Sequence, residues 1–327
     1  MKICFLENTE FCYDSNDLHS SKLRGSETTL IYLSTELSKL GNKVTVINNC
    51  LKNKTINSIK WKNINNYNEN EFFDVAISNN DMRFFNKIRA NKKILISHSL
   101  QNVEKFFRKK QFISYIKHKP IVATLGNYHK NNRNYFLRCF GNINLDIGIK
   151  NVFHQTDPSF KKNNQAIFTS ASYRNLDLVI KLWKNKIHKF LPSTKLLTTP
   201  MKNFTPNKNI FFRNMGSTDV LIKDLLESNI FIIPGHKSEL SCQAVEEAKE
   251  LCIPTVTFGF GSLSDQIEHE KSGMIAKNEN VVLRVPKLAM PKFSLMMRLS
   301  ALRWLEDILE ISIMLPGPLN GSSRTIK

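Results

Sequence analysis

Short apolar runs alternate with helical patterns along most of this chain, and that alternation restricts the folds open to it more than any other feature. The runs are Lys2–Leu6, Val44–Ile47, Asp74–Ser78, Lys93–Ser97, Pro120–Thr124, Ala166–Thr169, Lys195–Thr198, Asn209–Phe212, Asn229–Ile233 and Ile253–Thr257. Several are nearly continuous in hydrophobics, as strands covered on both faces must be, and helical patterns separate most of them. Strands alternating with helices imply parallel sheets, and this number of strands implies two. A chain of 327 residues holds two such domains. The polar, Asn- and Lys-rich stretch Asn151–Gln165 is the expected linker. The expected division is therefore residues 1–150, residues 151–285 and an atypical tail, residues 286–327.

The run Asn229–Ile233 ends at Pro234-Gly235 and is followed by His236-Lys237-Ser238-Glu239, with Glu247 eight residues further on. The carboxyl end of a buried parallel strand is where open α/β sheets bind ligands. With a helix starting near Ser241, Glu239 lies in the turn at its positive end and Glu247 about two turns in. After the next strand comes a second loop, Gly259–Asp265, so two successive strand-to-loop transitions frame one crevice. Near the amino terminus, Lys2–Leu6 leads to Arg24-Gly25-Ser26-Glu27. A helix over Thr28–Leu40 follows, with Leu30, Leu33, Leu37 and Leu40 on one face and Gly41 as its C-cap. His98 directly follows the strand ending at Ser97, and Arg174 lies just after a strand at the start of a helix. A cation at a helix amino terminus opposes the helix dipole, so an anion is expected beside Arg174.

These motifs resemble the retaining glycosyltransferases of family 4, strongest over residues 216–276. Pro234 at a strand end, Glu239-x7-Glu247 followed by Ala248, Cys252-Ile-Pro254-Thr-Val256, the Gly259–Asp265 loop and Ser272-Gly273-Met-Ile-Ala276 carry the match. Cys252 stands where the family usually has glycine. The Gly25 turn resembles the family's Gly-Gly-x-Glu opening with one glycine present, and the Arg174 segment resembles its R-G-L variant. The resemblance implies a GT-B fold: two Rossmann-like doubly wound domains facing across a cleft, the first binding acceptor and the second a nucleotide sugar. It implies Glu239 and His98 as catalytic residues, and Gly25, Arg174, Lys237, Glu247 and Ser264 as substrate-binding ones. Glu247 would hold the ribose, Glu239 the transferred sugar, and Arg174 the diphosphate, with Lys237 or His236 as a second cation. No Asp-x-Asp metal motif occurs, so no metal or other cofactor is expected beyond the nucleoside-diphosphate sugar, which is a substrate. The expected acceptor is a saccharide or a lipid-linked saccharide, in cell-envelope polysaccharide or lipopolysaccharide synthesis. A catalytically degenerate nucleotide-sugar-binding relative is the alternative, and a basic nucleic-acid-binding protein a weaker one.

The formal net charge of +19 is concentrated in the first half. Residues 51–150 hold nineteen Lys and Arg against six Asp and Glu, whereas residues 201–250 hold six against seven. Such a surplus suits an anionic membrane surface, a phosphorylated acceptor or nucleic acid; no zinc-finger spacing or RNP pattern supports the last. Within it, Asn102–Lys117 reads as one basic amphipathic helix carrying Phe106, Phe107, Ile113 and Ile116, with either a membrane-facing or a core-facing apolar side. No window of eighteen apolar residues and no signal peptide are apparent, and the six cysteines lack a C-x-x-C pair and read as reduced core residues. The expected location is the cytoplasm, with the inner face of the cytoplasmic membrane as a peripheral site. After Asn280 the composition shifts toward Met and Pro, and Phe293–Met314 reads as an amphipathic helix, either a shortened crossing helix or a frameshifted end.

Overall fold

A computed structural model describes residues 1–18, 23, 25–65, 67, 70–100, 103–145, 148–158, 163–190, 192–207 and 209–276. The helix expected over Phe293–Met314 lies outside the described residues. Met1–Ile147 form one compact unit and Gly148–Lys327 a second.

In the first unit the strands are β1 (Lys2–Leu6), β2 (Lys43–Asn48), β3 (Lys54–Ile56), β4 (Ile59–Asn63), β5 (Phe72–Asn79), β6 (Arg89–Ile96), β7 (Ile121–Thr124) and β8 (Asn142–Asn144). They form one sheet in the order β3-β4-β2-β1-β5-β6-β7-β8, parallel apart from the β3–β4 hairpin. Ile3 and Phe5 pack on one face with Leu30, Ile31, Val44 and Val46, while Cys4 and Leu6 pack on the other with Ala76, Leu95 and Val122. Burial on both faces is why β1 reads as an unbroken apolar run. Its helices are α1 (Gly25–Lys39), α2 (Val103–Arg108), α3 (Phe112–His118) and α4 (Asn127–Asn132).

The second unit contains α5 (Asn151–His154), β9 (Gln165–Phe168), α6 (Leu176–Leu182), α7 (His188–Phe190), β10 (Lys195–Thr198), β11 (Ile210–Phe212), α8 (Thr218–Leu226), β12 (Ile230–Ile232), α9 (Gln243–Glu250), β13 (Thr255–Thr257), α10 (Leu263–Gln266) and β14 (Gly273–Ile275). Its six strands run β11-β10-β9-β12-β13-β14, all parallel. One core joins Phe168, Trp183, Leu196, Phe231, Val245 and Met274.

Five sequence expectations change. Helix α1 begins at Gly25 rather than Thr28, because Gly25, Ser26 and Glu27 form its first turn, where an acidic side chain suits the dipole. Leu40 is 77% exposed and leaves the apolar face. The single helix expected over 102–117 is two, because Lys110 turns left-handed at φ 53° between α2 and α3. Within the expected linker, Asn151–His154 is helical and Phe153 belongs to the core of the second unit. All six cysteines are free, but Cys12 and Cys139 are exposed rather than core residues.

Candidate functional site

The order of the second sheet fixes where its functional residues gather. From β9 the chain moves outward to β10 and β11, then returns to β12 on the other side of β9 and moves outward to β13 and β14. β9 and β12 are therefore neighbours whose following loops leave in opposite directions, which opens a crevice at their carboxyl ends. The loop after β9 carries Arg174 and the loop after β12 carries Glu239. The two side chains meet as an ion pair across that switch point, Arg174 Nη1 on Glu239 Oε2. Glu239 is 5% exposed and Arg174 34%, so the carboxylate is the fixed, buried partner and the guanidinium the accessible one.

The pairing supplies the anion expected beside Arg174, while the position of Arg174 differs from the expectation. Asn175 adopts a left-handed conformation and α6 starts only at Leu176, so Arg174 lies ahead of the helix and its compensating anion is Glu239. Asn175 also donates from Nδ2 to the Gly235 carbonyl at 2.7 Å, a second tie between the two loops.

The loops after β12 and β13 are knitted together. Phe258 N–H donates to the Pro234 carbonyl at 3.2 Å and Ser262 N–H to the Glu239 carbonyl at 2.8 Å, and Gly235 bridges Phe260. Two glycines allow this closeness. Gly235 has φ 85°, and a Cβ there would stand 2.5 Å from Leu263 Cδ1; Gly261 has φ 67°, and a Cβ would stand 2.5 Å from the His236 carbonyl oxygen and 2.6 Å from that of Glu239. Gly261→Ala should thus displace the backbone that holds Glu239 and destabilise the unit by about 1–3 kcal/mol, as overpacking and a forced positive φ do. Urea unfolding followed by circular dichroism measures this; an unchanged midpoint would contradict the close packing.

Helix α9 starts at Gln243, two residues later than expected, after Cys242. Its amino terminus is capped from a distance: Cys242 N–H donates to Gln266 Oε1 at 2.8 Å, and Gln266 Nε2 donates to the Cys242 carbonyl at 3.2 Å and to Glu246 Oε1 at 2.9 Å. Sequence reading missed Gln266, and no local pattern announces it. Glu247 sits half-buried on α9, and its carboxylate makes no hydrogen bond among the described residues. Burial pushes its carboxyl up to about 7, against the opposing pull of Lys150 and Arg213. Lys150 donates to Thr218 Oγ1 at 2.7 Å, and the buried Arg213 pairs with Asp224 at 3.0 Å. Arg213 was also missed, although a lone arginine just beyond the apolar run of β11 marks it in the sequence. Lys237 is exposed in the Glu239 loop, and Ser264 is exposed in α10, its hydroxyl donating to the Gly261 carbonyl at 3.1 Å.

Gly25 and His98 belong to the first unit. Gly25 opens α1, and its carbonyl accepts from Thr29 Oγ1 at 2.7 Å. His98 follows β6, where its backbone N–H donates to Asn80 Oδ1 at 2.7 Å. Its Nε2 is buried without a hydrogen bond among the described residues, and burial lowers the imidazole pKa, so the ring is neutral at pH 7. Glu7 and Tyr13 after β1, and Asn79 at the end of β5, are three residues that sequence reading missed. Glu7 accepts from Asn79 Nδ2 at 2.9 Å and from the Tyr13 hydroxyl, and Glu27 is buried nearby in α1.

No protein-family model and no curated protein sequence matches the chain. Among solved structures it is similar to sucrose-phosphate synthase from Thermosynechococcus elongatus, with a TM-score of 0.61 at 9% identity, covering 95% of this chain and 92% of that one. It is similar to HepE from Anabaena in complex with UDP-glucose, at 0.58 and 12% identity over 95% and 92%. WaaG, a glycosyltransferase involved in lipopolysaccharide biosynthesis, gives 0.57 at 11% identity over 96% and 95%. At these identities the likeness defines the fold, and the fold is that of GT-B glycosyltransferases, with two doubly wound α/β units.

Proposed function

We propose that this chain is a retaining glycosyltransferase that moves a sugar from a nucleoside diphosphate to a saccharide or lipid-linked acceptor. The Arg174–Glu239 ion pair at the switch point of the second sheet carries this reading most directly. Cleavage of a sugar–diphosphate bond builds negative charge on the leaving phosphate, and preorganised cations and amides stabilise it. Arg174, the more exposed of the pair, meets that charge with Lys237, while buried Glu239 orients hydroxyls of the transferred sugar. Glu247 accepts hydrogen bonds from the ribose. In the first unit, His98 presents a neutral imidazole and the Gly25 turn opens helix α1, an amino terminus whose dipole suits an anion. We assign the diphosphate charge to protein cations because the sequence has no Asp-x-Asp motif for a metal. Two of the similar solved structures support the reading: HepE holds UDP-glucose, and WaaG is involved in lipopolysaccharide biosynthesis.

Incubating the protein with a panel of nucleoside-diphosphate sugars and following release of the nucleoside diphosphate tests the activity. Proton NMR of the product's anomeric signal tests retention. Turnover of one donor with an α-linked product from an α-linked donor is expected; inversion would overturn the retaining assignment, and no release from any donor the activity.

The acceptor-binding assignment of the first unit comes with a location, cytoplasmic and peripheral on the inner membrane face. No helix among the described residues is long and apolar enough to cross a membrane. Phe106 is buried, but Phe107, Ile113 and Ile116 are exposed among Arg108, Lys109, Lys110 and Lys117, an apolar and cationic surface together. Vesicles containing acidic lipid should therefore sediment the protein, and salt should release it, since each cation near such a surface contributes about 1 kcal/mol that a Debye length of about 8 Å screens. Changing Arg108, Lys109 and Lys110 to Gln should weaken sedimentation and leave nucleotide affinity intact. Binding that ignores salt, or none to acidic vesicles, would retire the membrane assignment.

A further inference from the structure

The first sheet has a switch point of its own. β1 and β5 lie side by side, and the chain leaves β1 toward β2 and β4 but leaves β5 toward β6, β7 and β8. A cavity of about 650 Å³ lies over the carboxyl ends of these two strands, lined by residues that follow each of them, by the start of α1 and by the end of α2. That volume falls within the range of small-molecule sites, about 300–1,000 Å³.

Its lining is divided by charge. Glu7 and Glu27 are both 5% exposed, and Glu7 is held from both sides by Asn79 Nδ2 at 2.9 Å and by the Tyr13 hydroxyl, so it cannot swing toward solvent. The exposed part of the same lining carries Arg108, Lys109 and Lys110. Arg108 reaches Glu104 only at 4.0 Å, and Lys109 and Lys110 make no ion pair among the described residues. Arg83, also in the lining, is already neutralised by Asp81, with Nη2 on Oδ2 at 2.6 Å. The buried floor therefore presents fixed acceptors suited to hydroxyls, and the exposed rim presents three cations without a close counter-ion among the described residues. A neutral polyol satisfies only the floor.

We propose that this cavity binds the acceptor and selects a saccharide carrying a negative charge, with hydroxyls on Glu7, Glu27 and Asn79 and the phosphate or carboxylate on Arg108, Lys109 and Lys110. Its identity as acceptor rests on the glycosyltransferase reading; its preference for an anionic saccharide does not.

Calorimetric titration of the full chain, without lipid, with matched pairs tests the preference: glucose and glucose 6-phosphate, mannose and mannose 6-phosphate, galactose and galacturonate. At least one anionic member should bind about tenfold more tightly than its neutral partner, the combined effect of three exposed cations. Preference within the phosphate pairs or within the uronate pair identifies which anion is read. Inorganic phosphate should bind more weakly than that saccharide, because it leaves the floor unused. The double variant Arg108→Glu, Lys109→Glu should erase the preference, and Glu7→Gln should weaken the saccharide but not inorganic phosphate, with thermal melting of each variant confirming the fold. Absence of preference in every pair, a preference that survives charge reversal, or phosphate binding equal to saccharide binding would each overturn the proposal. Ile113→Ser with Ile116→Ser separates the membrane surface: it should reduce vesicle binding and leave the saccharide preference unchanged, and loss of both would assign the cations to lipid instead. UDP and GDP titrated in parallel report the second unit. Saccharide selection without nucleotide binding would sink the glycosyltransferase reading alone, and nucleotide binding without saccharide selection would sink this proposal alone.

Discussion

Glu239→Ala should lower turnover by about 10²–10³-fold while leaving affinity for the free nucleoside diphosphate within about threefold, because removing one preorganised electrostatic contact at a reacting centre has an effect of that size. Glu239 is buried at the carboxyl end of β12 and held there by backbone bonds of its own N–H to His236 and its carbonyl to Ser262. The free nucleotide lacks the sugar that Glu239 orients, so its affinity has little to lose. Arg174, relieved of its partner, gains charge available to the diphosphate, which opposes any loss in nucleotide binding. The conservative Glu239→Gln keeps a hydrogen-bonding group but abolishes the ion pair, and should fall between the two in turnover. Steady-state kinetics beside UDP and GDP titration separate these effects. An equal loss in turnover and nucleotide affinity would show that Glu239 contacts the nucleotide and that the roles of the two glutamates are misassigned.

Glu247→Ala should instead weaken the nucleotide itself, by at least about tenfold, since a carboxylate accepting two ribose hydroxyls loses two bonds of about 1.5–3 kcal/mol each. The same residue makes the affinity depend on pH. Its carboxyl is raised by burial to about 7 from an ordinary value near 4.5. Donors from the ribose favour the ionised form, so nucleotide affinity is highest above pH 7 and is lost as pH falls through that value. For the protein without ligand the sign is the reverse: a raised carboxyl contributes stability fully present below its unfolded value and lost as pH rises through 7. Glu247→Gln removes the titrating group, so the difference between wild type and variant isolates this contribution from the phosphate's own titration. A wild-type affinity that tracks the glutamine variant from pH 6 to pH 8 would place the ribose elsewhere.

The sequence was legible where burial on both faces of a sheet leaves no freedom. β1 and β10 fall on Lys2–Leu6 and Lys195–Thr198, as their apolar runs predict, because a central parallel strand admits hydrophobics at every position. Edge elements were not legible for the converse reason. β3 and β8 are polar, short and half solvated, and only the left-handed pair Asn57-Ser58 marks the β3–β4 turn. The break between α2 and α3 falls at Lys110, a residue type that announces no turn. At the candidate site, the sequence showed that Arg174 needed an anion and that Glu239 lay at a strand end. It did not show that each is the other's partner, because sixty-five positions separate them and only the strand order makes β9 and β12 neighbours. The Glu7–Asn79 bond joins β1 and β5 across seventy-two positions in the same way.

Calorimetric titration of the purified chain with UDP, GDP and ADP tests most directly whether the second unit is a nucleotide-sugar site. One nucleoside diphosphate should bind, and Glu247→Ala should weaken it by at least about tenfold. Failure of all three to bind, or binding that Glu247→Ala leaves untouched, would contradict the account.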